Sequence, residues 1–517
     1  KEKFKMLRIF GPPGTGKTTT LLNMVEKQLE AGVLPSQVAF LAFTRKAAKE
    51  ARERASKRFN LNMDKDLFYF RTLHSFAFNV SDIQSDQLLQ NEHLSDLGKM
   101  IGFNLINGSS SSFNDTPTVS ENPIMRIIQL SRLLRQPLEK TYRNMSFSSM
   151  PTPYLEVQYI ADCYKKYKKQ NLLFDYTDIL EQFVEKRGSF CPAFKVCFVD
   201  EAQDLSPLQW EMVHLIDERS ERLYLAGDDD QAIYRWAGAS VESFLSLQGS
   251  SEHLLRSYRV PKRVHAIAHR IVKRIKNRRS KMYTPHAIEG VVQRVSSPQS
   301  VNMDEGEWLV LAQCNYMLLP IAEMLKSQGL LFEFHGSRSI GEKIVTAVRG
   351  WETIRNGRKI DLTTARKVYS YMRTGSRIQR GFKKITKAEE SDLFSLEDLQ
   401  QKQGLLATKD MIWHKALDGL PETDGAYLTA MLRRKEKLND APRIKVSTIH
   451  GAKGGEADNI LLLTDISPTS DNSRLLGDKE GQLLGDDLHR LFYVAVTRTK
   501  QNLFLVDPED HLRSYTV

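Results

Sequence analysis

The sequence predicts an α/β protein with two parallel-sheet cores, each interrupted once by a mainly helical insertion. A short apolar strand at residues 7–10 leads into a glycine-rich turn and a helix that begins near Lys17, and a second strand follows at residues 38–42. The next clear strand ends only at Asp200, much later than a simple core of this kind requires, which indicates an insertion. Strand and helix patterns alternate again in the second half of the chain, which predicts the second core.

These patterns also predict the domain boundaries. We expect residues 1–80 and 171–255 to form the first sheet domain, with residues 81–170 as its helical insertion, which contains the polar loop GSSSSFNDTPT. Residues 256–340 and 441–517 then form the second sheet domain, and the basic, helix-prone residues 341–440 form its insertion. The strands and the helix expected downstream of the first core are residues 253–255, 308–312, 331–334, 444–448 and 459–463, and helix 261–277.

Composition gives broad expectations about partners and location. The 517 residues carry a formal net charge of +11, which favours a polyanionic partner. The four cysteines show no C-x-x-C spacing, so we expect neither a zinc site nor a disulfide framework. No run of 18 apolar residues occurs, and the phosphate-loop pattern begins too early to leave room for a signal peptide. The expectation is a soluble, intracellular protein.

The segment GPPGTGKT at residues 11–18 follows a predicted strand and opens a predicted helix, which is the context of a phosphate-binding loop. Glycines let the backbone amides face phosphate oxygens, Lys17 supplies a positive charge, and Thr18 offers a hydroxyl to Mg²⁺. The alternative is a simple glycine turn. The residues expected to contact the nucleotide here are Gly11, Gly14, Thr15, Gly16, Lys17, Thr18 and Thr19.

The segment VCFVDEAQD at residues 196–204 supplies an acidic partner for this loop. An apolar strand that ends in two acids would place Asp200 on the Mg²⁺ ion and Glu201 beside the attacking water as general base. The alternative is a pair of acids close to the helix start expected near Ser206, an arrangement that is common without any catalytic role.

Further segments occur in a fixed order along the chain. They are LAFTRKAAKEA at 41–51, FRTLHSF at 70–76, LLFDYTDIL at 172–180, LAGDDDQAIYRWAGA at 225–239, SYRVP at 257–261, STIHGAKGGEAD at 447–458 and LHRLFYVAVTRTK at 488–500. With the two segments above, this series resembles the motifs of the UvrD/Rep/PcrA type of superfamily 1 helicase. The resemblance spans nearly the whole chain and leaves only the two insertions unmatched.

The resemblance implies two RecA-like motor domains that bind ATP and Mg²⁺ between them. It implies that Gln231 senses the γ-phosphate and that Arg259 and Arg498 reach the same phosphate, joining Lys17 and the two acids as catalytic residues. A guanidinium stays charged and can stabilise phosphoryl oxygens, which supports that role. Either arginine could instead form a surface ion pair. By the same resemblance, Glu456 holds the ribose and Tyr258 stacks near the base.

The resemblance also places nucleic-acid contacts in these motifs, and single strands are bound by aromatic faces beside phosphate-binding groups. Phe43 and Tyr234 could equally pack in the core, which makes Trp236 the stronger candidate. Residues 262–281 hold nine Lys and Arg but form an amphipathic helical pattern, so their basic face is either solvated or attracts DNA. The expected nucleic-acid residues are Phe43, Thr44, Thr72, His74, Tyr234, Trp236 and His450.

These observations lead to one functional hypothesis and two alternatives. We expect an ATP-driven translocase on single-stranded DNA with 3′ to 5′ polarity, which unwinds duplex at single-strand/double-strand junctions in replication, repair or recombination. We expect a monomer without DNA, replication or repair proteins as further partners, and a cytoplasmic location, either nucleoid-associated or viral in a host cell. The alternatives are a nucleotide-switched DNA-binding or remodelling subunit that unwinds weakly, and an RNA helicase.

Overall fold

The computed structural model describes residues 5–106, 120, 122–144, 152–385, 389, 391–438, 440–474 and 479–517. Backbone contacts divide the chain into two units: Lys1–Gln293, Ile449–Phe504 and Pro508–Val517 form the first, and Arg294–Thr448 with Leu505–Asp507 form the second. The polar loop expected in the first insertion lies outside the described residues. Within the described residues, no helix is both long and apolar enough to cross a membrane.

The described residues contain both α-helices and β-strands. The strands are β1 (Met6–Phe10), β2 (Val38–Ala42), β3 (Phe70–Thr72), β4 (Val196–Asp200), β5 (Leu223–Gly227), β6 (Ser250–His253), β7 (Val291–Val295), β8 (Trp308–Ala312), β9 (Phe332–Phe334), β10 (Ser337–Arg338), β11 (Ile360–Asp361), β12 (Leu393–Phe394), β13 (Ile444–Thr448), β14 (Ala457–Leu463) and β15 (Thr499–Val506). The helices up to the end of the first sheet are α1 (Lys17–Glu30), α2 (Arg45–Phe59), α3 (Leu73–Val80), α4 (Asn91–Ile101), α5 (Pro123–Leu133), α6 (Leu138–Asn144), α7 (Tyr154–Gln170), α8 (Tyr176–Glu185), α9 (Pro207–Glu218) and α10 (Val241–Ser246). The later helices are α11 (Lys262–Val272), α12 (Leu319–Ser327), α13 (Glu342–Arg355), α14 (Leu362–Ser370), α15 (Leu396–Lys402), α16 (Trp413–Ala416), α17 (Glu422–Arg433), α18 (Pro468–Arg474) and α19 (Lys479–Val496).

The first unit contains a six-stranded sheet in the order β3-β2-β4-β5-β1-β6. Its neighbouring strands pair in parallel, for example with Phe10 opposite Gly227 and Ala42 opposite Asp200. Strands β2 and β4 are five-residue runs that are buried throughout. A parallel sheet covered on both faces is expected to have such continuous apolar strands.

Side chains from these strands alternate between two apolar clusters. Phe10 and Val199 belong to a cluster that also contains residues of α3, α8 and α9. Their neighbours Ile9 and Phe198 belong to a second cluster with residues of α1 and α2. Successive strand residues point to opposite faces, so helices cover the sheet on both sides. The burial of these apolar side chains is the main force that stabilises the sheet.

Both predicted insertions are mainly helical in their described parts. Helices α4, α5 and α7 share a separate apolar core in the first, and helices α13 to α17 occupy the second. In the second unit, strands β10, β9, β13 and β8 are neighbours in that order, and β13 pairs in parallel with both β8 and β9. The sequence patterns did not predict the two-residue strands β11 and β12, which pair with each other in antiparallel orientation. The predicted α/β class with parallel sheets is confirmed.

One helix is shorter than expected. Helix α11 ends at Val272 rather than near Asn277. The backbone amides of Lys276 and Asn277 donate to the two carboxylate oxygens of Asp486, each at 2.8 Å, instead of continuing the helical pattern. A distant carboxylate therefore ends the regular structure that the local pattern favours.

Candidate nucleotide and nucleic-acid site

The glycine-rich loop between β1 and α1 adopts a conformation that its glycines make possible. Gly14 and Gly16 have φ angles of 71° and 81°, in the left-handed region that disfavours other residues. A Cβ atom on Gly14 would lie 2.5 Å from Cβ of Arg259 and 2.7 Å from Oγ of Ser257. The hydroxyl of Thr15 donates to the carbonyl oxygen of Pro12 at 2.7 Å and closes the turn.

Lys17 and Thr18 stand at the start of α1, where the positive end of the helix dipole favours anions. Nζ of Lys17 donates to the carbonyl oxygen of Gly11 at 2.9 Å and lies 3.9 Å from Oε1 of Glu201. The hydroxyl of Thr18 donates to Oδ2 of Asp200 at 2.7 Å. A hydroxyl beside a carboxylate is an oxygen donor set that suits Mg²⁺, so these residues fit the expected metal.

The two acids at the end of β4 differ in charge environment. Burial and the neighbouring Glu201 raise the pKa of Asp200 to about 6. Burial alone would raise the pKa of Glu201, but Lys17 and Lys453 outweigh it and lower that pKa to about 2. Glu201 has φ 55°, which is unusual for a residue with a side chain, and its Oε2 accepts from Nε2 of Gln203 at 2.5 Å. Glu201 is thus held ionised, as a general base requires.

A glutamine and an arginine meet at the same site. Nε2 of Gln231 donates to Oδ2 of Asp228 at 2.7 Å, and Oε1 of Gln231 accepts from Nη2 of Arg498 at 2.8 Å. Burial and the nearby Arg259 lower the pKa of Arg498 to about 9. A guanidinium that has already lost its water is poised for a strong interaction with an anion.

Arg259 and its partners form the other wall of the site. Nε of Arg259 lies 2.6 Å from Oε2 of Glu456, whose second oxygen lies 3.3 Å from Nζ of Lys500. The backbone amide of Tyr258 donates to the carbonyl oxygen of Gly14 at 2.8 Å, while 66% of the Tyr258 residue remains exposed. The side chain of Tyr258 is therefore available for stacking.

A cleft of about 430 Å³ joins most of the predicted nucleotide residues. Gly11 is not among the lining residues and instead accepts the hydrogen bond from Lys17. Three predicted nucleic-acid residues, Phe43, Thr44 and Tyr234, line the same cleft. The predicted nucleotide residues in its lining are Gly14, Thr15, Gly16, Lys17, Thr18, Thr19, Asp200, Glu201, Gln231, Tyr258, Arg259, Glu456 and Arg498.

Trp236 and His450 form an aromatic group beside this cleft. The Trp236 residue is 37% exposed, its ring centroid lies 5.8 Å from that of His450 in an edge-on arrangement, and the guanidinium of Arg126 lies 5.2 Å from the indole centroid. Tyr234 is only 2% exposed, and its hydroxyl donates to the carbonyl oxygen of His450 at 3.1 Å. Its ring lies 5.3 Å from that of Phe43. The tyrosine therefore packs beneath the more accessible tryptophan.

The remaining predicted nucleic-acid residues have structural contacts. The hydroxyls of Thr44 and Thr72 accept from the backbone amides of Ala47 and Ser75, so they cap helices α2 and α3. The half-buried ring of His74 lies 6.4 Å from that of Tyr176, and burial lowers the pKa of His74 to about 4. The structure does not place Thr72 and His74 in the lining of the nucleotide cleft.

Lys453 and Asp204 are charged residues of this site that sequence reasoning missed. Nζ of Lys453 contacts the carboxylate of Asp204, donates to the carbonyl oxygen of Gln231 at 2.9 Å and lies 3.7 Å from Oε2 of Glu201. Burial raises the pKa of Asp204 to about 7. Both residues lie inside the quoted segments VCFVDEAQD and STIHGAKGGEAD, and that position within the motifs was the available signal.

The site combines a glycine-rich loop, a hydroxyl–carboxylate pair, an ionised glutamate and two arginines at the carboxyl edge of a parallel sheet. This combination defines the P-loop class of nucleotide-binding proteins. Comparison with protein families narrows this class. Residues 4–252 match the UvrD/REP helicase N-terminal domain, and residues 360–508 match the UvrD-like helicase C-terminal domain. The chain belongs to the UvrD/Rep/PcrA-like family of superfamily 1 helicases, and the predicted pair of RecA-like domains is confirmed.

Individual relatives agree with this assignment. The chain is 28% identical over 303 residues to the ATP-dependent DNA helicase PcrA of Bacillus subtilis, a match that covers 55% of this chain and 40% of that protein. It is 24% identical over 290 residues to a probable DNA helicase II homolog of Mycoplasma pneumoniae, covering 51% and 39%. A probable DNA helicase of the same organism matches at 25% over 331 residues, covering 58% and 60%. The matches therefore span less than two thirds of these relatives.

Proposed function

We propose that this protein is an ATP-dependent translocase on single-stranded DNA that unwinds duplex DNA with 3′ to 5′ polarity. The cleft that brings Lys17, Glu201, Gln231 and Arg498 together is the observation that carries this proposal. These residues supply a phosphate-binding charge, a base, a polar sensor and a second positive charge, the set that phosphoryl transfer needs. Family membership supports a helicase activity, and the polarity rests on the resemblance to the UvrD type.

The residues of the cleft divide the work of hydrolysis. Thr18 and Asp200 would hold Mg²⁺, which supplies positive charge to the phosphate oxygens when it is bound. Glu201 would accept the proton of the attacking water, because Lys17 and Lys453 keep its carboxylate ionised. Arg498 would release Gln231 and bind phosphate oxygens. Arg259 would release Glu456 and bind the same phosphate.

Tyr258 and Glu456 are proposed to contact the base and the ribose, respectively. Their positions in the cleft support these roles, because Tyr258 is largely exposed and the Glu456 carboxylate is held by two cations. The glycine-rich loop, including Gly11 and Thr19, would bind the phosphates with its backbone amides and side chains.

Single-stranded DNA is proposed to run past Trp236 and His450. The exposed indole offers a stacking face to a base, and such contacts tolerate any sequence. Thr44, Thr72 and His74 are proposed phosphate contacts, and Phe43 and Tyr234 support the aromatic group. The motor domains are proposed to comprise residues 1–80 with 171–255, and 256–340 with 441–517, with residues 81–170 and 341–440 as insertions.

The first experiment measures steady-state ATP hydrolysis by the purified chain with poly(dT), with poly(rU) and without nucleic acid. A large stimulation by poly(dT) is expected, because translocation couples turnover to the strand. Stimulation by poly(rU) alone would replace the DNA assignment with RNA. Turnover that ignores both polymers would contradict the coupled motor and favour a nucleotide-switched binding subunit.

Polarity needs a separate measurement. Strand displacement is compared on duplexes of identical sequence that carry either a 3′ or a 5′ single-stranded tail. Displacement from the 3′-tailed duplex alone is expected. Displacement from the 5′-tailed duplex alone would assign the opposite polarity.

A further inference from the structure

Three consecutive aspartates lie buried directly before Gln231. Asp228, Asp229 and Asp230 are at most 1% exposed. Nζ of Lys281 lies 3.0 Å from Oδ1 of Asp228 and 2.9 Å from Oδ2 of Asp230, and it also contacts Asp229. Three buried carboxylates would repel one another, and the positive charge of this lysine offsets that repulsion.

The basic segment that contains Lys281 surrounds the same loop. The guanidinium of Arg278 forms two hydrogen bonds to Asp230, at 2.7 and 2.8 Å, and the backbone amide of Arg279 donates to Oδ2 of Asp229 at 2.7 Å. The expectation of a solvated basic face is therefore wrong for Arg278 and Lys281. Their charges neutralise the aspartates instead.

Asp228 uses its two oxygens for different partners. Oδ1 faces Lys281, and Oδ2 accepts from Nε2 of Gln231 at 2.7 Å. Burial would raise the pKa of Asp228, but Lys281 and Lys17 outweigh it and lower that pKa, so the carboxylate stays ionised. An ionised carboxylate accepts hydrogen bonds and cannot donate them.

This contact fixes the orientation of the Gln231 amide. Its NH₂ group must face Asp228, and its oxygen must therefore face Nη2 of Arg498, as the 2.8 Å hydrogen bond requires. A guanidinium only donates, so the reversed amide would place two donors against each other. Asp228 thus determines which end of the Gln231 amide faces Arg498.

We propose that Asp228, held by Lys281, is the positioning residue that sets the amide of Gln231 for ATP hydrolysis. This inference rests on the proposed ATPase function and adds a residue pair to it. Neither Asp228 nor Lys281 lines the nucleotide cleft, so both act through Gln231.

The substitution Asp228→Asn tests the role of the second oxygen. Asparagine offers one acceptor oxygen and one NH₂ group, so it cannot accept from Lys281 and Gln231 at separate oxygens. Lys281 takes the oxygen because it carries a charge, and the Gln231 amide then turns its NH₂ group toward Arg498. We expect kcat for ATP to fall by about 10- to 100-fold, with KM changed much less.

A matched control and a rescue separate positioning from stability. Asp230→Asn removes a carboxylate from the same cluster, but that carboxylate binds Arg278 and Lys281. We expect it to lower the melting temperature as Asp228→Asn does while kcat stays near that of the unmodified chain. The double substitution Asp228→Asn with Lys281→Met frees the asparagine oxygen for Gln231, and we expect it to recover part of the lost kcat.

The outcomes distinguish this inference from the proposed function. If the unmodified chain hydrolyses ATP but Asp228→Asn and Asp230→Asn have equal kcat, the positioning role is refuted and the ATPase stands. If the double variant is folded, as judged by its melting curve, and shows no recovery over Asp228→Asn, the hydrogen-bond explanation is refuted. If the unmodified chain has no ATPase activity under any condition, the proposed function itself fails.

Discussion

Arg498 donates from Nη2 to Oε1 of Gln231 at 2.8 Å, and both residues line the cleft beside Glu201. The arginine also donates from Nε to the carbonyl oxygen of Val494 at 3.1 Å and from Nη1 to that of Gly455 at 3.4 Å, so its side chain is held at three points. Burial has already removed its water, which means that the site carries the desolvation cost before any anion arrives. An anion that replaces Gln231 would gain a charged hydrogen bond at little further cost.

Replacement of Arg498 by alanine should therefore abolish most turnover. Positive groups of this kind contribute on the order of 10³-fold or more to kcat in phosphoryl transfer. Arg498→Lys keeps the charge but loses the planar fork, so we expect intermediate activity. Steady-state ATPase with single-stranded DNA measures both, and Arg513→Ala, which removes an exposed pair with Asp510, is the control. Full activity in Arg498→Ala would refute its catalytic role.

Glu201→Gln should bind nucleotide and DNA but lose turnover, because the amide cannot accept the proton from water. The pKa of about 2 also predicts the pH dependence. A carboxylate with this lowered pKa stays ionised from pH 5 to pH 9. Protonation of Glu201 should therefore not lower kcat as the pH falls from 9 to 5. ATPase and fluorescent-nucleotide binding are measured for Glu201→Gln and for Glu211→Gln, which changes a surface pair with Arg135. Normal turnover in the first variant would contradict the assignment.

Local patterns predicted the elements that build the site. Strand β2 is a short apolar run and β4 is apolar up to Asp200, so burial on both sheet faces was visible in the sequence. The helix start predicted at Ser206 is confirmed. The hydroxyl of Ser206 accepts from the backbone amide of Gln209, and the side chain of Gln209 accepts from the backbone amide of Ser206, which is a capping box. The glycine-rich loop was equally clear, because only glycine tolerates the φ angle of Gly14 beside Arg259.

Contacts between distant segments could not be predicted in this way. Asp486 ends the pattern of α11 from a position far along the chain, and Lys281 is buried because of Asp228 rather than because of its own neighbours. Local periodicity contains no information about either partner. Strands β11 and β12 contain two residues each, too few for a period to appear.

Trp236→Ala should weaken DNA binding by about 1 to 3 kcal/mol, the value of one base–aromatic stack. The indole is the accessible one, because Trp210, Trp308, Trp351 and Trp413 are all buried. Addition of a single-stranded oligonucleotide should therefore quench tryptophan fluorescence in the unmodified chain and much less in the variant.

Trp236→Phe keeps an aromatic face and should retain most of the affinity, whereas Trp210→Phe alters a buried tryptophan and should leave the quenching intact. Unchanged DNA affinity and unchanged stimulation of the ATPase in Trp236→Ala would return this residue to a packing role.

A network of ion pairs at the N-terminus of α8 should stabilise the folded protein in a pH-dependent way. Arg132 lies 2.7 Å from Oδ2 of Asp175, and the same oxygen accepts from the hydroxyl of Tyr164 at 2.7 Å and from Nζ of Lys168. Arg132→Met removes one of the two cations that pair with the buried Asp175 and should lower the free energy of unfolding by about 3 to 5 kcal/mol. Arg143→Met removes an exposed pair with Glu139 and should cost at most about 1 kcal/mol. Equal midpoints of urea unfolding for the two variants would contradict this.

The contribution of Asp175 should disappear in acid. Burial alone would raise its pKa, but Arg132 and Lys168 outweigh it and lower the pKa of Asp175 below its ordinary value. A lowered folded-state pKa contributes stability that is fully present above the unfolded value, about 4, and is lost as the pH falls toward the folded value. Asp175→Asn removes this titration and keeps a side chain that can cap α8. The difference in unfolding free energy between the unmodified chain and Asp175→Asn should therefore be constant from pH 7 to 5 and shrink below pH 4. A difference that grows in acid would show that the carboxylate is not ionised in the folded protein.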